Sequence, residues 1–222
     1  MYKAFRSIKI VLFFLIVSSY MVYSQGRPDA LASYRAGRDA ENTGKSEEAS
    51  AKYNEAVRIC MDEINNKTAN MDTYTVLTWT LQRQKKYKDV ILRGSEALKS
   101  GNDPRILETM GEAYFYLGSF ESSLNAMQRY VTLSPEGDRV SVAYFFMGEI
   151  YRYQKKYNYA DIAYTMAVKL SPELALWWYR LGSVRESAGN RQYALNAYDQ
   201  ALRLDPGYAA VKEAVARLRQ TA

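Results

Sequence analysis

The sequence contains no histidine and a single cysteine, Cys60. Histidine is the usual proton shuttle near neutral pH and the commonest protein ligand for metals. The chain therefore lacks the residue most often used for proton transfer and for metal binding. One cysteine can form neither an intramolecular disulfide nor a thiolate zinc cluster. No motif surrounds a serine, tyrosine or lysine that could act as a nucleophile. We therefore predict a noncatalytic protein with no metal site and no cofactor.

A strong excess of charge of one sign is also missing. The 222 residues include 30 Lys and Arg and 24 Asp and Glu, which gives a formal net charge of +6. Three basic and no acidic residues lie among the first 24, so the rest of the chain has 27 basic and 24 acidic side chains, or +3. Nucleic-acid binding needs a concentrated basic surface, so we predict no nucleic-acid partner.

The first 24 residues differ in composition from the rest. Three basic residues precede an apolar run from residue 10 to residue 17, and small residues follow up to Ser24. This order is typical of a secretory signal peptide cleaved before Gln25. The alternative is an uncleaved inner-membrane anchor at 10–23, which is short for a span of about 20 residues. We expect an exported protein, periplasmic or secreted, that touches a membrane only if this segment is retained.

An internal repeat with a period near 34 residues dominates the remaining chain. Gly111, Gly148 and Gly182 each open a similar spacing, with a small residue twelve positions on, an aromatic residue or Met sixteen on, and Pro twenty-four on. Self-similarity at this period is typical of helix-turn-helix solenoids, in which each unit buries its apolar face only against its neighbours. The pattern predicts an all-α fold.

The last copy carries the most complete pattern. Its characteristic residues are Trp178, Leu181, Gly182, Ala194, Tyr198, Ala201 and Pro206. This copy resembles the tetratricopeptide repeat (TPR) family. The resemblance implies a right-handed superhelical solenoid of about five repeats over 25–222, closed by a capping helix at 208–222. The repeats are expected at 30–64, 71–103, 104–140, 141–174 and 175–208.

Two copies depart from the pattern. In the second repeat, Thr78 replaces the glycine and Gly94 replaces the aromatic residue, which puts a poor helix former inside a predicted helix. In the third repeat, Tyr130 stands where alanine is usual, and the step to the next copy is longer. We interpret the extra residues as a longer loop at 136–138.

The aromatic residues fall into two groups. Most of them, including Tyr53, Phe120, Tyr164 and Tyr198, occupy positions where the repeat needs a filler between helices. The others map to first-helix positions that line the concave groove in TPR proteins, together with several arginines. This predicted groove set is Tyr34, Arg38, Trp79, Arg83, Phe115, Tyr116, Phe145, Arg152, Tyr153 and Tyr179. Glu108, Glu112, Glu149 and Glu186 map to the same surface.

Aromatic residues mixed with arginine are typical of surfaces that anchor peptides or partner helices. The alternative is that part of the set packs against the adjacent repeat. The resemblance implies a scaffold or adaptor of the cell envelope that holds a protein or peptide segment in its groove. Two other classes fit the sequence: a structural subunit of an envelope assembly or transport complex, and a carrier for a small molecule or lipid. The Lys and Asn residues with which some TPR proteins hold a C-terminal carboxylate are missing from the matching positions.

Overall fold

The computed structural model describes residues 29–220, and within them it contains eleven α-helices and no strand. In chain order the helices are α1 (Ala30–Asn42), α2 (Ser46–Asn65), α3 (Met71–Arg83), α4 (Tyr87–Ala97), α5 (Pro104–Tyr116), α6 (Phe120–Leu133), α7 (Val140–Tyr153), α8 (Tyr157–Leu170), α9 (Ala175–Ser187), α10 (Arg191–Leu204) and α11 (Ala209–Gln220). The all-α fold class is confirmed. The predicted signal peptide or anchor lies outside the described residues.

Consecutive helices pack as five pairs, from α1/α2 to α9/α10. Each pair is one helix-turn-helix repeat, and the pairs stack into the right-handed superhelical solenoid that the sequence predicts. The single helix α11 packs on the last pair and buries Val211, Val215 and Leu218 against the second helix of that pair, around Tyr198. The expected capping helix is therefore present, and its other face is polar.

Local sequence explains where the first helices begin and the second helices end. The carboxylate of Asp103 accepts a hydrogen bond from the backbone N–H of Arg105 at 2.9 Å, and Pro104 occupies the first position of α5, where no amide donor is needed. The helices α6, α8 and α10 each stop two residues before a proline, at Pro135, Pro172 and Pro206. Proline disfavours helical geometry in the preceding residue and so ends each repeat.

The close approach of the two helices in a pair depends on a glycine that faces a large side chain. A Cβ atom at Gly148 would lie 2.7 Å from the ring of Tyr164, and one at Gly182 would lie 2.5 Å from the ring of Tyr198. The first repeat has the same arrangement, and the third has Met127 in place of the tyrosine. A larger residue than glycine would force these helices apart.

In the second repeat the small residue lies on the second helix and the larger residue lies on the first. The helix α4 runs without interruption through Gly94, although glycine is a poor helix former. A Cβ atom there would lie 2.5 Å from Sδ of Met110, so a side chain from the next repeat fills the space. Thr78 replaces the glycine of the first helix, and its buried hydroxyl donates to the carbonyl of Thr75 at 3.0 Å. Packing against the third repeat therefore explains this departure.

The longer third repeat also has a local cause. Tyr130 is buried, and its hydroxyl accepts a hydrogen bond from the backbone N–H of Arg139 at 3.2 Å. A Cβ atom at Gly137 would lie 2.5 Å from the same hydroxyl. The connection between α6 and α7, residues 134–139, thus wraps around the Tyr130 side chain, which is larger than the usual alanine.

Candidate functional site

The first helices of the repeats line the groove, and many charges on this face are paired between neighbouring repeats. The pairs, with their N–O distances, are Glu41–Arg83 (3.6 Å), Asp72–Arg105 (2.8 Å), Glu149–Arg180 (3.0 Å) and Glu186–Arg217 (2.8 Å). The first three pairs each join one repeat to the next, and Glu186–Arg217 joins the fifth repeat to the capping helix. A ligand that formed an ion pair with one of these residues would have to break the existing pair.

Buried tyrosines of the second helices hold three of these glutamates in place. The hydrogen bonds run from Tyr53 to Glu41 (2.6 Å), from Tyr164 to Glu149 (2.5 Å) and from Tyr198 to Glu186 (2.6 Å). Burial first, and the neighbouring glutamate second, raise the pKa of all three tyrosines. Each hydroxyl therefore stays protonated and donates a hydrogen bond to a charged acceptor, which stabilises the fold by about 1.5 to 3 kcal/mol.

The third repeat, which lacks the tyrosine, has a different polar cluster. Glu108 is only 4% exposed, and Nε of Arg139 donates to it at 2.7 Å. The same guanidinium donates to Glu112, which also accepts a hydrogen bond from the amide of Gln82 at 3.0 Å. Burial, followed by the negative charge of Glu112, raises the pKa of Glu108 to about 8, although Arg139 acts in the opposite direction.

This cluster predicts a pH-dependent stability that Glu108→Gln removes. An unfolded glutamate has a pKa of about 4.3, whereas that of Glu108 is raised to about 8, so its contribution is complete below pH ~4.3 and is lost as the pH rises through about 8. A glutamine amide, like a protonated carboxyl, is uncharged, and its oxygen can still accept the hydrogen bond from Arg139. We expect the free energy of unfolding, measured by urea titration between pH 5 and pH 9, to fall by a few kcal/mol more in the wild type than in the variant. Glu121→Gln, at an exposed site, is the control; parallel curves for all three proteins would contradict the assignment.

Six aromatic residues form a continuous cluster of ring contacts, which we call the aromatic strip. Its members are Tyr87, Phe115, Tyr116, Phe120, Phe146 and Tyr153. Tyr87 stacks on Tyr116 with ring centroids 4.9 Å apart, and Phe120 stacks on Tyr153 at 5.4 Å. Phe115 joins the two stacks, since its ring centroid lies 5.8 Å from that of Phe120 and 5.7 Å from that of Tyr116. The strip thus extends across the second, third and fourth repeats.

The two stacks are the same structural feature in consecutive repeats. Tyr87 and Phe120 are the first residues of α4 and α6, whereas Tyr116 and Tyr153 are the last residues of α5 and α7. The first residue of one repeat's second helix therefore meets the last residue of the next repeat's first helix. This places the strip beside the turns that connect the two helices of each repeat.

The outer rings of the strip remain open to solvent. Tyr116 is 53% exposed and Tyr153 is 55% exposed, while Phe146 is buried beneath them. The guanidinium carbon of Arg152 lies 4.6 Å from the ring centroid of Tyr153, close enough for a cation–π contact. Arg152 also donates to Glu149 at 2.8 Å, so its orientation is fixed.

The structure brings four residues of the predicted groove set together: Phe115, Tyr116, Arg152 and Tyr153. The other six lie elsewhere. Tyr34 is a correction, because it is buried in the first core cluster, where its ring lies 6.2 Å from Tyr53 and 5.8 Å from Trp79. Arg38 is exposed near Tyr34, and Arg83 is paired with Glu41. Trp79 lines a separate cavity of about 750 Å³ next to Arg35 and Arg105.

Phe145 and Tyr179 pack against the adjacent repeat or the cap, which was the alternative for the groove set. The Phe145 ring stacks on Trp177 at 4.9 Å, and Tyr179 lies between Tyr198 at 6.0 Å and Tyr208 at 5.3 Å. Glu108 and Glu149 are buried as well. These side chains contribute to the contact between repeats rather than to an open surface.

Sequence reasoning missed three members of the strip. Phe120 was assigned to the core, and Tyr87 and Phe146 were assigned no role. Of these, Tyr87 and Phe120 both stand at the first position of a second helix. The signal was available: each aromatic residue directly follows a turn, at the same place in consecutive repeats. Each of these residues stacks on an aromatic residue of the next repeat, and the spacing within one repeat does not show that contact.

The described residues offer neither a reactive thiol nor a metal-binding cluster. Cys60 is fully buried, and burial raises the pKa of its thiol to about 12, so it is not a reactive thiolate at neutral pH. Within residues 29–220, no three His, Cys, Asp or Glu side chains are grouped so that they could hold a metal ion. Over the same range, no helix is both long and apolar enough to cross a membrane.

Comparison with known proteins finds a family match in the last repeat. Residues 175–208, the fifth helix pair, match the family described as Tetratricopeptide repeat. The chain is 26% identical over 178 residues to Protein O-mannosyl-transferase TMTC1 of Homo sapiens. The aligned region covers 80% of this chain and 20% of that protein. The chain therefore spans about a fifth of the length of the curated relative that it matches.

Solved structures show the same fold. The APC/C hetero-tetramer Cut9–Hcn1 matches with a TM-score of 0.67 and 18% identity over 87% of this chain and 37% of that chain. YrrB, described as a TPR protein with an unusual peptide-binding site, matches with a TM-score of 0.59 and 18% identity over 88% of this chain and 96% of that chain. The fold is thus that of a TPR solenoid, with a clear TPR sequence in its fifth pair.

Proposed function

We propose that the protein is a noncatalytic scaffold that binds a segment of another protein through the aromatic strip. The observation that carries this proposal is the exposure of Tyr116 and Tyr153, both more than half accessible although neighbouring rings hold them on rigid helices. Aromatic side chains fixed in advance lose little conformational entropy on binding and supply much of the binding free energy at protein interfaces.

The strip is a better candidate than the floor of the groove. The sequence favoured the groove, but Glu149 there is held by Tyr164, Arg152 and Arg180, and Glu186 is held by Tyr198 and an arginine of the cap. Glu149 is buried, and removing one partner from a buried ion pair costs about 3 to 5 kcal/mol. A segment that binds along the strip leaves these pairs intact.

A second candidate function is a structural subunit of an envelope assembly. The observation in its favour is an apolar patch on the second helices, formed by Tyr159, Ile162 and Tyr193, each more than 60% exposed. We call this the outer patch. Arg185 links its two helices, because it pairs with Asp161 at 2.8 Å and lies 6.0 Å from the Tyr193 ring. In this alternative the outer patch, rather than the strip, contacts the neighbouring subunit.

Two double variants distinguish these candidates. The strip variant is Tyr116→Ser/Tyr153→Ser, and the outer-patch variant is Tyr159→Ser/Tyr193→Ser. The mature wild-type chain and both variants are immobilised, and each is exposed to envelope extract from the cells that make the protein. We expect the strip variant to lose the proteins that the wild type captures and the outer-patch variant to keep them. Each variant removes two exposed tyrosines, so the variants are matched in composition. The reverse result would favour the structural subunit.

Export is part of the same proposal and depends on the first 24 residues. The N-terminal residue of the protein isolated from its own cells distinguishes the cleaved form, which begins at Gln25, from the anchored form, which retains the apolar run at 10–17. We propose no mannosyl transfer for this chain, because the similarity to the human transferase spans a fifth of that protein.

A further inference from the structure

Two of the turns beside the aromatic strip carry the same four residues. Residues 84–87 and residues 154–157 both read Gln-Lys-Lys-Tyr. The first turn leads directly into Tyr87 at one end of the strip, and the second follows Tyr153 at the other end. The strip is therefore flanked by two lysine pairs, one in the second repeat and one in the fourth.

The backbone of these turns is unusual for lysine. Lys85 and Lys155 have φ angles of 57° and 58°, in the left-handed region, where the other three repeats place Gly44, Gly118 and Gly189. A residue with a side chain costs roughly 1 to 2 kcal/mol more than glycine in that conformation. Glycine would satisfy the fold, so the two lysines are present at a conformational cost. Residues held in such a conformation cluster at binding and active sites.

The charges around the strip are one-sided. Residues 83–89, 116–122 and 152–158, which contain its three turns and the adjoining helix ends, include seven Lys or Arg and two acidic residues, Asp89 and Glu121. Arg83 and Arg152 are paired with glutamates of the groove. The two lysine pairs, in contrast, have no ion pair among residues 29–220 that the structure describes. Both ends of the strip thus present positive charge that no ion pair within residues 29–220 compensates.

We propose that the strip binds an extended segment with an apolar or aromatic centre and Asp or Glu on both sides of it. The centre rests on Tyr116 and Tyr153, and the acidic residues meet Lys85–Lys86 at one end and Lys155–Lys156 at the other. This inference rests on the proposed function, since it specifies the ligand of the same strip. Neighbouring helices pack about 8 to 10 Å apart, so two repeats separate the lysine pairs by about 20 Å, which about six extended residues span.

This recognition depends on long-range attraction more than on fixed ion pairs. Exposed lysines are solvated and flexible, so each contact with a carboxylate is weak and is screened by salt. Opposite charge at both ends nevertheless accelerates encounter and selects against basic segments. Binding should therefore weaken as the ionic strength rises, whereas contacts of the aromatic centre should not.

The test uses synthetic peptides of about ten residues that share one centre of Phe, Trp and Ala. One peptide has Glu-Glu at both ends, and its matched control has Gln-Gln. We expect the mature protein to bind the acidic peptide at least about tenfold more tightly at low salt. The double variant Lys85→Gly/Lys155→Gly removes one lysine of each pair, so it should lose a measurable part of this preference while its melting temperature stays the same or rises, because the strained backbone is relieved. Lys67→Gly is the control variant: Lys67 has a φ of 57° but lies between α2 and α3, away from the strip.

Three results would overturn the inference. Equal affinity for the two peptides would show that the strip ignores acidic ends, and the scaffold function would stand. An unchanged preference in the double variant would move recognition away from the turns. No binding of either peptide would remove this ligand class altogether. Failure of the scaffold proposal itself is recognised separately, when the strip variant captures envelope proteins as well as the wild type does.

Discussion

Replacing Gly148 by Leu is expected to destabilise the protein by about 3 kcal/mol or more, the largest effect of a single change on the fold. Even one added carbon would lie 2.7 Å from two atoms of the Tyr164 ring. That ring cannot move aside easily, because it is fully buried and its hydroxyl donates to Glu149 at 2.5 Å. The better helix propensity of Leu, worth about 1 kcal/mol, offsets only part of this cost.

Thermal and urea denaturation of the variant measure this effect. Each kcal/mol lowers the melting temperature of a chain of this size by about 2 to 4 °C. Gly101→Ala serves as the control, since a Cβ atom there would meet only Met71 at 3.8 Å and the change should stay within about 0.5 kcal/mol. A Gly148→Leu protein as stable as the control would mean that α7 and α8 are not in close contact at this point.

The second large effect concerns binding. We expect Tyr116→Ala and Tyr153→Ala each to weaken capture of the partner by about 2 kcal/mol, or roughly 30-fold, with little change in helicity or melting temperature. Both rings are half exposed, so their removal leaves no cavity in the core. Titration of the captured partner against each variant, beside circular dichroism melts, provides both readouts.

Tyr193→Ala is the matched control, because it removes an exposed tyrosine from the outer patch. Phe145→Ala should behave differently from the strip variants and lower the melting temperature, since the Phe145 ring stacks on Trp177 and contacts Tyr164. Equal loss of stability and binding at Tyr116 and Tyr153 would assign these residues to the core.

Much of the fold could be predicted from the sequence because the residues that contact each other within a repeat lie close together in the chain. Gly148 and Gly182 are sixteen residues from the tyrosines that they face, and prolines end the second helices, so spacing within one repeat is sufficient. The departures at Gly94 and Tyr130 were visible in the sequence. The cause at Gly94 was not, because Met110 belongs to the next repeat. The loop around Gly137 lies in the same repeat as Tyr130, but its contact with the Tyr130 hydroxyl forms only in the folded structure.

The site was predictable only in part, for the same reason. Exposure decides which aromatic residues can bind, and exposure depends on the next repeat: Tyr34 is covered by Trp79, whereas Tyr153 is not covered. The stacks formed by Tyr87 and Phe120 likewise join two repeats. The left-handed backbone of the lysine turns could have been inferred, since glycine occupies the same place in the other three repeats.

The central claim is that the aromatic strip, and not the groove floor or the outer patch, contacts the partner. Site-specific incorporation of a photo-crosslinking phenylalanine analogue at positions 38, 116, 153 and 193 tests it most directly in cells, because position 38 is an exposed member of the predicted groove set. We predict that the analogue at 116 and 153 crosslinks to the same partner, while at 38 and 193 it gives no crosslink. Crosslinks confined to 38 would place the ligand in the groove, crosslinks confined to 193 would place it on the outer patch, and either result would contradict the proposed function.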